Sequence, residues 1–152
     1  MLRQDFNDAL KTAMLGKDAR TVSTVRLILA ALKDRDIAAR PKGVTDGIGD
    51  DEILGLLQSM IKQRRESITL YEQGNRPELA DQERAEIVVI ERFLPRQMDD
   101  AETQAAVSAV VGELGAASLK DMGRVMAALK ERHAGVMDFA KAGPLVKAAL
   151  GG

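Results

Sequence analysis

Apolar residues recur every three or four positions along almost the whole chain of 152 residues, and this spacing constrains the fold more than any other feature. In the first fifteen residues, for example, Leu2, Phe6, Leu10 and Met14 are spaced by four. Residues three or four apart share one face of an α-helix. Aromatic residues make up only 3% of the chain, so the core must be built from aliphatic side chains, which suits helices packed on helices. We therefore predict an all-α fold.

Proline, glycine and capping residues divide this pattern into seven predicted helices. The expected first or capping residues are, in chain order, Leu2, Asp18, Asp50 or Asp51, Pro77, Asp99 or Asp100, Ser118 and Pro144. The glycine-rich segment 43–49 between the second and third helices is expected to be a flexible loop. Pro95 ends the fourth helix, so we predict an N-terminal four-helix module over residues 1–95 and a C-terminal three-helix bundle over residues 96–152.

The composition excludes most catalytic and metal centres. The chain has no cysteine and a single histidine, His133, so thiolate nucleophiles, disulfides and Cys-bound metals are excluded. Glu83 and Glu86 share a helix face, but no Glu-x-x-His motif accompanies them. We predict no catalytic residues, no metal site and no cofactor.

The chain contains no apolar run that approaches the roughly 20 residues of a membrane-spanning helix. Its first residues, Met1-Leu2-Arg3-Gln4-Asp5, include an acid and are not followed by a long apolar core, so no signal peptide is expected. We predict a cytoplasmic location and no membrane partner.

Charge is distributed unevenly although the net charge is −1. Between Lys17 and Lys42, seven cations oppose three acids, a local charge of +4; between Lys120 and Lys147, six cations oppose three acids, a local charge of +3. Such segregation can create faces of opposite sign, although ordinary solvated helix faces produce the same pattern. The chain as a whole lacks the basic excess that is usual in nucleic-acid-binding domains.

A dense charged run lies in the third predicted helix: Lys62-Gln63-Arg64-Arg65-Glu66-Ser67. Glu66 follows Lys62 by four residues, so the two can pair. Arg64 falls within the apolar stripe, and we expect it to bury its stem with its guanidinium paired or exposed. One or two cations of the run should meet the acidic fourth helix as an internal ion-pair network; phosphate binding is the functional alternative.

Several short motifs follow one another along the chain. They are Lys62-Gln63-Arg64-Arg65-Glu66-Ser67-Ile68, Arg76-Pro77-Glu78-Leu79-Ala80, the pair Glu83 and Glu86, Phe93-Leu94-Pro95-Arg96-Gln97, Asp121-Met122-Gly123-Arg124-Val125-Met126, Gly135 with Asp138, and Leu145-Val146-Lys147. In this order they resemble the GatB/YqeY family over essentially the whole chain. The sequence departs from the family pattern at Glu78, Phe93 and Val136, where Asp, Tyr and a basic residue are usual, and Phe139, Gly143 and Pro144 are also unusual.

The resemblance implies that the C-terminal module is similar to the tail domain of the B subunit of the tRNA-dependent amidotransferase. That tail helps to hold tRNA, while the chemistry lies in other domains. We therefore expect contacts to tRNA phosphates from Lys120, Arg124, Lys130, Arg132, Lys141 and Lys147. The charged residues of the family signature are Lys62, Arg64, Arg65, Glu66, Arg76, Glu83 and Glu86.

Three functions follow as hypotheses. The first is a non-catalytic accessory protein that binds or handles tRNA. The second, supported only by the family association, is a carbon–nitrogen ligase that uses glutamine as amide donor. The third is a protein–protein adaptor, with amidotransferase or aminoacyl-tRNA synthetase subunits as possible partners.

Overall fold

The computed structural model describes residues 1–151. Over these residues it contains α-helices and short 3-10 turns but no strand, so the prediction of an all-α fold is confirmed. The α-helices are α1 (Leu2–Leu15), α2 (Ala19–Ala39), α3 (Asp50–Gln73), α4 (Pro77–Glu91), α5 (Asp100–Leu114), α6 (Met122–Arg132) and α7 (Phe139–Ala149).

The chain divides into two compact units, Met1–Leu94 and the residues from Pro95 onward. In the first unit α1 packs against α2, α3 packs against α4, and α2 also contacts α4. The largest fully buried side chains of this unit are Phe6, Ile28, Ile53, Leu57 and Ile90. Phe6 also meets Phe93 edge to face, with 4.9 Å between ring centroids, so two of the few aromatic residues help to close this core.

The second unit has its own core between α5, α6 and α7. Its largest fully buried side chains are Val107, Val110, Val125, Leu129, Met137 and Val146. The buried core is aliphatic apart from the methionine, and Phe139 packs against it half-buried. Pairing of the Met98 N–H with the Val136 carbonyl, at 2.8 Å, ties the start of the unit to the segment that precedes α7.

The beginnings of the helices follow local capping chemistry. The side chain of Asp18 accepts a hydrogen bond from the Thr21 N–H at 3.2 Å, and Pro77 occupies the first turn of α4. Asp99 and Glu102 form a reciprocal capping box at the start of α5. The expected cap at Asp50 or Asp51 is wrong: Gly49 is the N-cap of α3, and the two acids lie in the first turn, where they favour the helix dipole.

The last two helices begin at other residues than the sequence predicted. Ser118 precedes a 3-10 turn, Leu119–Asp121, and α6 starts only at Met122. Helix α7 starts five residues before Pro144, because the side chain of Asp138 accepts a hydrogen bond from the Ala140 N–H at 3.0 Å and caps the helix there. Pro144 therefore lies inside α7, where it removes one helical N–H donor.

The apolar stripe predicted for the first helix fails at its end. Met14 is 53% exposed, and Ala13 is buried in its place. A spacing of four residues advances each side chain by roughly 40° around the helix, so Met14 lies about 120° from Leu2. Three successive steps of four thus carry a residue off the buried face.

A hydrogen-bonded clamp holds the end of the segment that we predicted to be a flexible loop. The Arg3 guanidinium donates to both carboxylate oxygens of Asp36 at 2.8 Å, and also to the Ile48 carbonyl at 2.9 Å. The Ile48 N–H donates to Asp36 at 2.9 Å. Ile48 is thereby fixed with only 4% of its surface exposed. We call Arg3, Asp36 and Ile48 the Arg3–Asp36 clamp.

Candidate nucleic-acid interface and signature cluster

Three residues of the family signature come together between α3 and α4. The Arg64 side chain is only 13% exposed, and its Nε lies 2.8 Å from an oxygen of Glu86 and 4.0 Å from an oxygen of Glu83. Its Nη1 also donates to the Met60 carbonyl at 3.2 Å. A cation shared by two carboxylates on the neighbouring helix joins α3 to α4, which is a structural role.

The two carboxylates of this cluster share one cation, and they are not compensated equally. Burial raises the pKa of Glu83, the negative charge of Glu86 raises it further, and Arg64 opposes both effects. Arg64 makes its close contact with Glu86, so Glu83 is the less well compensated carboxylate.

The other signature cations lie at the surface. Arg65 lies 3.6 Å from Glu91, and Arg76 lies 2.7 Å from Glu78. Lys62 and Glu66 are exposed, and within the described part of the chain neither forms an ion pair, so the pair that their spacing allows is not formed.

One ion pair between these two helices was missed in the sequence. Arg84 contacts Asp81 at 2.8 Å and also pairs with Glu72 across from α4 to α3. The i,i+3 spacing of Asp81 and Arg84 was the available signal for the first contact. Nothing in the sequence indicated the second, since it depends on how the two helices are aligned.

The six basic residues expected to contact tRNA fall into two groups. Arg124 pairs with Asp121 at 3.1 Å, Arg132 pairs with Glu113 at 2.6 Å, and Lys141 lies 3.6 Å from Asp100. By contrast, Lys120, Lys130 and Lys147 are exposed and form no ion pair with any residue in the range 1–151. Among the six, only these three lysines lack a carboxylate partner in the described residues.

The basic residues do not collect on one face of either helix. Arg124 and Lys130 are six positions apart on α6, and so are Lys141 and Lys147 on α7. Six positions place two side chains about 120° apart around a helix. The residues from 95 to 152 also contain seven Lys or Arg and seven Asp or Glu, so the second unit carries no net charge.

Acidic side chains of the second unit act mainly in local structure. Arg96 forms a two-armed ion pair with Glu102, at 3.0 and 2.5 Å, and this pairing lowers the pKa of Glu102 to about 2. The Ala117 N–H, at 3.0 Å, is the largest of several influences that lower the pKa of Asp121.

Two signature segments that are distant in sequence meet in this unit. The Gln97 side-chain amide donates to the Gly135 carbonyl at 2.7 Å. Gln97 ends the motif that follows α4, and Gly135 begins the one before α7. Their pairing gives both residues a structural reason to be in the signature.

A shallow cleft of about 420 Å³ is lined by Asp100, Thr103, Gln104, Lys141 and Leu145. No group of acidic or histidine side chains in residues 1–151 is placed to hold a metal ion. None of the helices in this range is both long and apolar enough to cross a membrane.

The chain is similar in sequence to several proteins that share one name. Their name is altered inheritance of mitochondria protein 41, mitochondrial. The relative from Lachancea thermotolerans is 33% identical, and the match covers 69% of this chain and 55% of the relative. The relative from Meyerozyma guilliermondii is 40% identical, and the match covers 56% of this chain and 42% of the relative. In Vanderwaltozyma polyspora, the identity is 33% over 56% of this chain and 44% of the relative. The chain thus spans about half the length of the curated relatives that it matches.

These comparisons correct one prediction and confirm another. The expected cytoplasmic location is wrong, because the relatives are named as mitochondrial proteins. It was inferred only from the absence of a recognisable signal, which is weak evidence on compartment. The model of the family described as Yqey-like protein matches residues 3–150. The chain therefore belongs to the YqeY-like protein family.

Proposed function

We propose that this protein is a non-catalytic accessory protein that handles tRNA, with the second unit serving as a tail-like module. The observation that carries the proposal is the set of exposed, unpaired lysines Lys120, Lys130 and Lys147 in the part of the chain that resembles the amidotransferase tail. Flexible ammonium groups without carboxylate partners can bind phosphate oxygens at no cost in broken ion pairs. In this proposal residues 96–152 correspond to the tail, and residues 1–95 are the added helical module.

The three paired cations are secondary contacts in this proposal. Arg124, Arg132 and Lys141 would have to exchange a carboxylate for a phosphate. All three pairs are solvent-exposed, and exposed ion pairs contribute only about 0–1 kcal/mol, so the exchange is energetically small. The balanced charge of the unit means that binding should depend on a few particular lysines rather than on a general attraction.

The test is tRNA binding by a charge-reversal variant, Lys130→Glu with Lys147→Glu. Loss of two phosphate contacts should weaken binding on the order of tenfold or more at low salt and reduce the slope of log K against log salt by about 2. Fluorescence anisotropy with labelled total tRNA measures both quantities.

The matched control is Lys11→Glu with Lys17→Glu, which changes the net charge equally. These two lysines are exposed and make no ion pair with the described residues of the chain. The control should bind as the unaltered protein does. Equal weakening by both double variants would refute a specific role for Lys130 and Lys147.

A carbon–nitrogen ligase activity with glutamine as amide donor has the family association as its sole support. Release of ammonia from glutamine by the purified protein would replace the accessory role by this one. An adaptor role would follow if amidotransferase or synthetase subunits bound the protein while tRNA did not.

A further inference from the structure

The largest group of unpaired cations lies in the first unit, along α2 and its flanks. These cations are Lys17, Arg20, Arg26, Lys33, Arg35, Arg40 and Lys42, all of them exposed. None lies within ion-pair distance of a carboxylate in the described residues, although the charge of Arg40 helps to lower the pKa of Asp36. Of the acids in this segment, Asp36 is bound by Arg3 and Asp18 caps α2, which leaves only Asp34.

Three of these cations form a straight stripe. Arg26, Lys33 and Arg40 are seven positions apart, so they follow one face of the helix with a spacing of about 10 Å. Arg40 caps α2 with helical backbone angles, φ −57° and ψ −47°, and so continues the stripe. Exposed Ala30 and Ile37 lie between the cations. We call Arg26, Lys33 and Arg40 the α2 basic stripe.

The surroundings of the stripe distinguish between possible partners. A helix that binds a membrane surface inserts its apolar face into the lipid, but the apolar face of α2 is already used in the core, where Val25, Ile28 and Leu32 are at most 3% exposed. Arginine occurs in protein and in nucleic-acid interfaces, but the core of a protein interface is enriched in aromatic residues and depleted of lysine. The stripe has Lys33 at its centre, and α2 contains no aromatic residue. Regularly spaced cations on a rigid, convex helix instead match a regular array of negative charges.

Double-stranded RNA presents such an array. It is recognised mainly through its shape, its 2′-hydroxyls and its phosphates, and cations bound to phosphates release counterions along the backbone. We propose that the α2 basic stripe binds the phosphate backbone of double-stranded RNA. This inference rests on the proposed tRNA-handling function and adds a second contact surface, on the other unit of the chain, that would take the stem of a folded RNA.

The test compares two double neutralisations on the same helix. Arg26→Gln with Lys33→Gln removes two cations of the stripe. The matched control, Arg20→Gln with Arg35→Gln, removes the same charge from side chains that point at least roughly 120° away from the stripe. Glutamine has a helix propensity close to those of arginine and lysine, and none of these exposed side chains forms an ion pair with the described residues, so both variants should fold.

The probes are a labelled 20-base-pair RNA duplex and total tRNA, titrated into the full chain across a salt series. The stripe variant should lower affinity for both probes about tenfold and reduce the salt slope by about 2, while the control variant leaves the slope within about 0.5 of the unaltered protein. An equal loss of affinity in the two variants would refute a specific role for the α2 basic stripe, because binding would then depend on the overall charge of the helix. Equally tight binding of poly-glutamate would overturn RNA as the partner.

The outcomes separate this inference from the proposed function. If Lys130→Glu with Lys147→Glu weakens tRNA binding and the stripe variant does not, the stripe is refuted and the proposed function stands. If the stripe variant alone weakens binding, the stripe is supported and the assignment to the second unit falls. If the unaltered protein binds neither probe, both are refuted.

Discussion

The Arg3–Asp36 clamp makes a quantitative prediction about stability and pH. The Arg3 hydrogen bonds lower the pKa of Asp36 from 3.8 to about 2, helped by the Ile48 N–H. This lowering of the pKa corresponds to roughly 2 kcal/mol at most. The Arg3 side chain is 38% exposed, so solvent screening reduces this figure, and we expect Asp36→Asn to lower the free energy of unfolding by about 1–2 kcal/mol at pH 7.

The sign of the pH dependence follows from the direction of the shift. A carboxyl whose pKa is depressed in the folded state stabilises the fold above its unfolded pKa, and this contribution is lost as pH falls towards the folded value. The difference in unfolding free energy between the unaltered protein and Asp36→Asn should therefore be full at pH 7 and shrink towards zero between about pH 4 and pH 2.

Urea unfolding followed by circular dichroism, at several pH values, measures this difference. Asp34→Asn is the matched control, since Asp34 lies on the same helix, is exposed and forms no ion pair within residues 1–151. It should change stability by less than about 0.5 kcal/mol. A difference for Asp36→Asn that stays constant down to pH 2, or that matches the control at pH 7, would refute the reasoning.

Three further substitutions test the packing of the first unit. Gly47→Ala should lower the free energy of unfolding by about 1–3 kcal/mol, because Gly47 has φ +94° and an added Cβ would lie 2.5 Å from Arg3 Nη2. Gly55→Ala should raise the free energy of unfolding by about 0.5–1 kcal/mol, because Gly55 lies in an open position of α3. Thr24→Val should stabilise by about 1 kcal/mol, because the Thr24 hydroxyl is buried without a hydrogen-bond partner. Urea midpoints measure these effects, and a less stable Thr24→Val or an unchanged Gly47→Ala would contradict them.

The fold class could be predicted from the sequence because it depends on local signals. Helical spacing, the cap at Asp18 and the proline at Pro77 each act within one turn of their own helix. The start of α7 was predicted wrongly because proline is common in the first turn of a helix, so Pro144 indicated a start there. In the structure Asp138 caps the helix, and Pro144 lies inside it. Local rules that compete are resolved only by the packing that surrounds them.

Contacts between residues far apart in the sequence, in the fold and in the candidate site, were less predictable. Nothing near Asp36 in the sequence indicated its bond to Arg3, 33 residues away, or its hold on Ile48. In the same way, the sequence could mark Arg132 as basic but not show that Glu113 would neutralise it. The distinction between a paired and a free cation, on which the α2 basic stripe depends, therefore required the structure.

Binding of the purified full chain to total tRNA across a salt series tests the central claim most directly. If the three unpaired lysines of the second unit and the α2 basic stripe all engage phosphates, the plot of log K against log salt should be linear with a slope of about −5; engagement of the second unit alone would give about −3. Absence of binding even at low salt would contradict the account and place the protein among adaptors that bind proteins rather than RNA.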